Sequence, residues 1–228
     1  MASHYFTSHT MTFLRKLASH NERNWFEQNK HVYEEVVRQP ALQFIADMAD
    51  ELAMLSPHFL AQPKKVGGSL MRIYRDVRFA RDKHPYKTNI GIQFRHELGR
   101  DVHAPGFYVH IEPGDCFVGV GIWRPDAVAL GKVRDAIVER DKKWRTVVNN
   151  KSFSKQFTLS GESLTRPPRG YAKDHPLIAD LRRKDFIAIA SLEEALVSSS
   201  RLQKQVLKHF KAADGFMQFL CGALNLQY

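Results

Sequence analysis

Apolar residues recur three and four positions apart through the first quarter of the chain, the spacing that gathers them on one face of an α-helix. Met11, Phe13, Leu14 and Leu17 make a first short stripe. A second starts at Asn24-Trp25-Phe26-Glu27, where an N-cap residue type followed three positions later by Glu reads as a capping box; it runs through Val32, Tyr33, Val36 and Val37 until Pro40. A third carries Leu42, Ile45, Met48, Ala49, Leu52 and Leu55 and stops at Ser56-Pro57, because proline pushes the residue before it out of the helical region.

The period then shortens to two. Stretches 71–75, 89–96, 107–112 and 116–123 alternate or are rich in β-formers, and Glu112-Pro113-Gly114-Asp115 supplies a turn between the last two, so they predict an antiparallel meander. Helical spacing returns after Asp126 with Leu130, Val133 and Ile137. A Pro-rich stretch follows, in which Asp174-His175-Pro176 reads as a helix start, and then a strand at 185–190. Leu202, Val206, Phe210, Ala213, Met217, Leu220 and Leu224 predict a long C-terminal helix, bent near Gly215. Helices on either side of a block of strands, without βαβ alternation, indicate an α+β fold: an antiparallel β-meander sheet packed by N-terminal, middle and C-terminal helices. No linker or repeat divides the chain, so residues 1–228 read as one domain, with helices over about 10–55, sheet and basic loop over about 66–124, and helices with one further strand over about 126–227.

Alternation also sorts the two sheet faces. A turn at Pro113-Gly114 sets Val109 opposite Val118 and Phe107 opposite Val120, and these with Ile111 and Cys116 form the core side. The other side carries Tyr108 against Gly119, His110 against Phe117 and Glu112 against Asp115. On the preceding strand Asn89, Gly91, Gln93 and Arg95 point the same way. Gly91, Gly119 and Gly121 notch that face, which suits either a ligand or a covering helix.

Charge sharpens this picture. The chain of 228 residues carries 34 Lys and Arg against 24 Asp and Glu, which makes an acidic partner worth seeking. Ten of the cations fall between Lys64 and Arg100 against three acids, +7 of the total +10. Two cysteines, Cys116 and Cys221, are too few for a disulfide framework and match no CxxC spacing; with no membrane-length apolar run and no secretory leader pattern, the cytoplasm is the expected location and no membrane partner is expected.

The basic segment centres on Arg72-Ile-Tyr74-Arg75-Asp76-Val-Arg78-Phe79-Ala-Arg-Asp82-Lys83-His-Pro-Tyr86-Lys87. Arginines three apart cannot share one side of a strand, so this segment must leave the sheet near Asp76 and curl into a loop. It closely resembles the signature R-x-x-R-D-x-R-F-x-x-[DN]-K-x-x-Y of a bacterial family of about this length, labelled only as a domain of unknown function and recurring within some longer fungal proteins. Every specified position matches: Arg72, Arg75, Asp76, Arg78, Phe79, Asp82, Lys83 and Tyr86. The blocks Trp25-Phe-Glu-Gln-Asn29-Lys30, Ala104-Pro-Gly-Phe-Tyr108, Gly121-Ile-Trp123-Arg124-Pro125 and Arg166-Pro-Pro-Arg-Gly170-Tyr171 extend the resemblance over most of the chain. The resemblance implies no activity, cofactor or ligand.

Guanidinium forks match phosphate and carboxylate geometry, so the leading reading is an anionic small-molecule pocket between the non-core face and this loop. Arg72, Arg75, Arg78, Lys83, Arg95 and Arg124 are its candidate anion contacts, and Tyr74, Tyr86, Tyr108 and His110 its lining. For an enzyme, the acid–base candidates are His110 with Glu112 as orienter, or Asp76. The runner-up is a nucleic-acid module, using the same loop with Lys142, Lys143, Arg182, Arg183 and Lys184 as phosphate contacts. The third reading is an internal ion-pair network in which Asp76 and Asp82 hold the arginines, leaving a structural or protein-interaction role. His110 and Glu112 have a metal-compatible spacing, but nothing selects a third ligand among Asp76, His84 and His103, so no metal or other cofactor is assigned. There is no P-loop, GxGxxG, GxSxG or HExxH pattern.

Overall fold

The computed structural model describes residues 4–99 and 104–228. The N-terminal stripes form α1 (Ser8–Ser19), α2 (Arg23–Tyr33), α3 (Gln39–Asp47) and α4 (Ala49–Leu55). The capping box is at α1, where the Thr7 side chain accepts from the backbone and Thr10 returns a bond to the cap, and not at Asn24. Helix α2 starts at Arg23 with no side-chain cap, because the nearby Asn21 side chain is spent on both backbone groups of Tyr86.

Pro40 does not end the helix. Residues Glu34–Arg38 widen into a π-turn, with the Gln39 N–H reaching back to the Glu34 carbonyl, and Pro40 then sits near the N-terminus of α3, where its missing N–H is tolerated. The Val36 carbonyl, which Pro40 has no N–H to meet, accepts the buried Thr10 hydroxyl at 2.7 Å. Thr10→Val keeps the shape and removes that donor, so we expect a loss of about 1–3 kcal/mol in urea unfolding; an unchanged midpoint would show that the hydroxyl does not matter there.

The sheet has six strands in the order β1-β2-β3-β4-β6-β5, antiparallel throughout: β1 (Phe59–Leu60), β2 (Ile90–His96), β3 (Gly106–Ile111), β4 (Cys116–Ile122), β5 (Thr158–Ser160) and β6 (Phe186–Leu192). The β3–β4 register is the expected one, with Phe107 opposite Val120, Val109 opposite Val118 and His110 opposite Phe117. It is fixed by Glu112-Pro113-Gly114-Asp115, where Gly114 takes φ +85 and the Asp115 N–H returns to the Glu112 carbonyl. Stretch 71–75 is not a strand. Its first residue lies against β2, where the Met71 N–H bonds the Gly91 carbonyl next to an isolated bridge from Leu70 to Ile92, and its Tyr74 pairs with Tyr86 to close the basic loop as a separate ribbon.

Between β4 and β6 lie α5 (Ala127–Glu139), capped by Asp126, then α6 (Asp141–Val148), α7 (Lys151–Ser154) and α8 (Ile178–Leu181). The last of these begins after Leu177, later than Asp174-His175-Pro176 suggests. After α9 (Glu194–Val197), the C-terminal stripe is two helices, α10 (Leu202–Ala212) and α11 (Asp214–Ala223), broken at Ala213 rather than bent at Gly215. Both pack on one sheet face. Phe210 lies 4.5 Å from Phe107 and 5.8 Å from Phe94 between ring centres, and fully buried Trp144 of α6 meets Phe186, Phe216 and Phe219 while donating to Asp180. The helices therefore cover the face that alternation marks as core. The other face of β2, β3 and β4 is left for side-chain chemistry.

Candidate functional site

Along β3, period two places Tyr108, His110 and Glu112 in one row on the non-core face, and the structure links them by hydrogen bonds. The Tyr108 hydroxyl lies 3.0 Å from His110 Nδ1, and His110 Nε2 lies 3.2 Å from Glu112 Oε2. Phe117, across the β3–β4 ladder, stacks on the imidazole at 4.6 Å and 8° and fixes its plane. Two residues leading into β2 complete the surround: the Thr88 hydroxyl donates to Glu112 Oε1, and the Asn89 amide lies 3.4 Å from His110 Nδ1. Burial pushes the Tyr108 phenol up to about 12, so it is a neutral hydrogen-bonding group.

The glycine notch is filled from within the fold. A Cβ at Gly91 would come 2.8 Å from both the Tyr108 hydroxyl and the Met71 sulfur, so Gly91 makes room for Tyr108 to lie across β2. Gly119 sits under the same ring. Tyr108 is thus a half-buried wall, and the chemistry-bearing end of this face is the one occupied by His110 and Glu112. Asp115 joins them there. One ligand atom each from His110, Glu112 and Asp115 lie within 4.8 Å of one another.

The basic ribbon, residues 72–87, adjoins this end, since Lys87 directly precedes Thr88 and the Met71 N–H bonds the Gly91 carbonyl. Much of its charge is internally answered. Arg78 grips Asp76 with two guanidinium nitrogens, holding that carboxyl well down, to about 2. The His84 N–H and then Arg75 do the same for Asp82, also to about 2. Lys83 donates to the Val77 carbonyl. Arg72 makes no hydrogen-bonded ion pair among the described residues, though its charge also helps to hold the Asp76 carboxyl down. The Lys87 ammonium is pulled below its usual range first by burial and then by the charge of Arg72.

The remaining sequence candidates scatter. Tyr86 is 2% exposed and stacked on Phe26 at 4.2 Å, so it belongs to the aromatic packing under the ribbon, and Tyr74 lies beside it at 5.5 Å. Asp76 stays in the loop with Arg78, away from the His110 row. Arg95 donates to Gln93, and it faces Gly106 at the opposite end of β3 from Glu112. Arg124 lies beyond the far end of β4, separated from Asp115 by the full length of that seven-residue strand, about 20 Å; its guanidinium covers Trp123 at 4.7 Å. Of the second basic group, Arg183 pairs with Asp180 and Lys184 with Glu162, while Lys142 and Lys143 are exposed on α6.

Alternation assigns Asp115 and Asn89 to the same face as His110 with no further signal, Lys87 stands in sequence only as the last cation of the basic segment, and nothing in the sequence marks Thr88. For the metal-ligand question, Asp115 is the third group the spacing did not select: Asp76 and His84 are tied into the loop through Arg78 and Asp82, and His103 lies outside the described residues.

Residues 9–219 match the family described as conserved hypothetical protein (DUF2461). No curated protein and no solved structure matches the chain. Among the described residues no helix is long and apolar enough to cross a membrane.

Proposed function

The chain belongs to the DUF2461 family of conserved hypothetical proteins, a description that carries no activity, and from its own side chains we propose that it binds an anionic small molecule, a phosphate or phosphorylated ligand, between the basic ribbon and the His110 end of the open sheet face. The observation that carries this reading is the half-buried Lys87, which leads into the His110 end of the face with no carboxylate partner among the described residues. A half-buried ammonium loses hydration and the charge of Arg72 adds to the cost, so an incoming anion is favoured there. The two acids of the ribbon are already held by Arg75 and Arg78, and of the cations outside those pairs Arg72 and Lys87 stand at the ends of the ribbon next to the sheet, while Arg81 and Lys83 lie out along the loop. Asn89 follows two residues on and adds a neutral side-chain amide.

This shifts the expected contacts within the ribbon. Arg75 and Arg78 shape the loop, and Arg72 and Lys87 meet the ligand. Inorganic phosphate and nucleoside phosphates are expected to raise the melting temperature of the wild type by mass action. Arg72→Ala and Lys87→Ala each remove one charge-assisted contact worth about 1.5–3 kcal/mol, so binding is expected to weaken about 10- to 100-fold with the unliganded melting temperature nearly unchanged. Unaltered ligand shifts in both variants would sink the assignment, as would stabilisation by oligonucleotides alone.

A further inference from the structure

We infer that His110, Glu112 and Asp115 form a site for a divalent first-row cation of the Zn2+ type, a proposal independent of the anion site. The first observation is one of charge. In a chain with 34 Lys and Arg against 24 Asp and Glu, two carboxylates converge on a histidine and neither has a Lys or Arg partner among the described residues. Every strongly held carboxylate in the neighbouring ribbon is matched by an arginine; Glu112 is matched only by a half-buried imidazole, and Asp115 has no ion pair among the described residues.

The second observation is that the ligand atoms are aimed from behind. A histidine that binds a metal through Nε2 needs its Nδ1 proton held by an acceptor; the Tyr108 hydroxyl lies 3.0 Å from Nδ1 where it can accept that proton, and the Asn89 amide, 3.4 Å away, suits this tautomer with its oxygen turned to the ring. Glu112 is gripped through Oε1 by Thr88, which leaves Oε2 facing His110 Nε2 at 3.2 Å. Phe117 locks the ring plane. These are the outer partners that a metal-binding histidine and carboxylate require, and they are supplied by three different segments of the chain.

The third observation is spacing. Tetrahedral ligands at about 2.1 Å from Zn2+ stand about 3.4 Å apart. His110 and Glu112 already meet that spacing, and exposed Asp115, within 4.8 Å, reaches it by rotating its side chain. One histidine and two carboxylates leave a fourth position open, the pattern of a site that holds a water or a ligand oxygen rather than a closed structural centre.

The test is calorimetric titration of Zn2+ into chelator-treated full-length protein, repeated with Co2+, whose visible absorption reports coordination geometry, and with Mg2+ as the hard-cation control. The expected result is one Zn2+ per chain, no saturable Mg2+ binding, loss of the site in His110→Ala, and at least a tenfold weaker site in Asp115→Asn. Tyr108→Phe removes only the outer partner and is expected to weaken binding about 10- to 100-fold. Arg72→Ala is expected to bind Zn2+ like the wild type, which separates this site from the anion reading. Asp115 is exposed on a turn, so its variant stays folded and decides the matter even if His110→Ala does not fold. No saturable Zn2+ binding, or binding that Asp115→Asn leaves unchanged and so belongs to another of the 11 histidines, would overturn the proposal.

Discussion

Gly121→Ala is expected to cost about 4 kcal/mol or more in urea unfolding, a large part of the 5–15 kcal/mol that stabilises a typical domain. Gly121 has φ +113, a conformation that residues with a side chain avoid, and the added methyl would overlap the Phe186 carbonyl oxygen of the adjacent strand. That oxygen is backbone in the β4–β6 ladder, so it cannot swing aside as a flexible side chain would. Relief requires β4 and β6 to part at the centre of the sheet, where Gly121 pairs with both Gly106 and Ile187. Gly131→Ala is the matched control. It lies within α5 with nothing near its added methyl, and is expected to stabilise by about 0.5–1 kcal/mol. Equal small effects at the two positions would contradict the close approach at Gly121.

Asp185→Ala is expected to cost about 3–5 kcal/mol, because it removes two hydrogen bonds to a charged acceptor and strands two backbone donors. Asp185 is buried, yet its contacts are backbone rather than cationic: Oδ1 accepts the Arg124 N–H at 2.7 Å and Oδ2 accepts the Glu162 N–H at 3.0 Å. The first bond holds Arg124 at φ 50, where a non-glycine residue rarely sits, and the second pins the turn at Gly161. One carboxylate therefore ties the exits of β4 and β5 to the start of β6. Asp185→Asn keeps one acceptor oxygen and is expected to lose about half as much, read from the same unfolding curves. A loss under about 1 kcal/mol for Asp185→Ala would show that water replaces both contacts.

The parts of this fold that sequence made legible are those in which local chemistry and tertiary packing agree. Pro113-Gly114 can turn the chain only one way, and alternation on either side then assigns every β3 and β4 residue to a face, which is why the His110 row was found with its neighbours. Agreement fails where a distant group overrides the local rule. Pro40 reads as a helix end, but a π-turn and the Thr10 hydroxyl, from another helix, absorb its defect. Stretch 71–75 has strand-like residues, yet its partner is the ribbon segment at Tyr86 rather than a neighbouring sheet strand over its length. Strands β1 and β5, two and three residues long, are too short for any period to register.

The candidate site divides the same way. The signature arginines are visible as a pattern, but which of them are spent on Asp76 and Asp82 depends on how the loop curls, and that is a tertiary fact. Lys87 is in sequence one cation among the ten of the basic segment; its half-burial marks it. Arg95 and Arg124 share a face or a block with the site residues, and strand length alone carries them to its opposite end.

The central claim is a discrete anion site at Arg72 and Lys87 rather than a diffuse basic surface, and the most direct measurement is calorimetric titration of inorganic phosphate and a nucleoside phosphate into the wild type at low and at physiological ionic strength. A single site per chain is expected, with affinity that falls only modestly with salt and is lost in the Arg72→Ala, Lys87→Ala double variant. Absence of saturable binding at low salt, or equal binding by wild type and double variant, would contradict it.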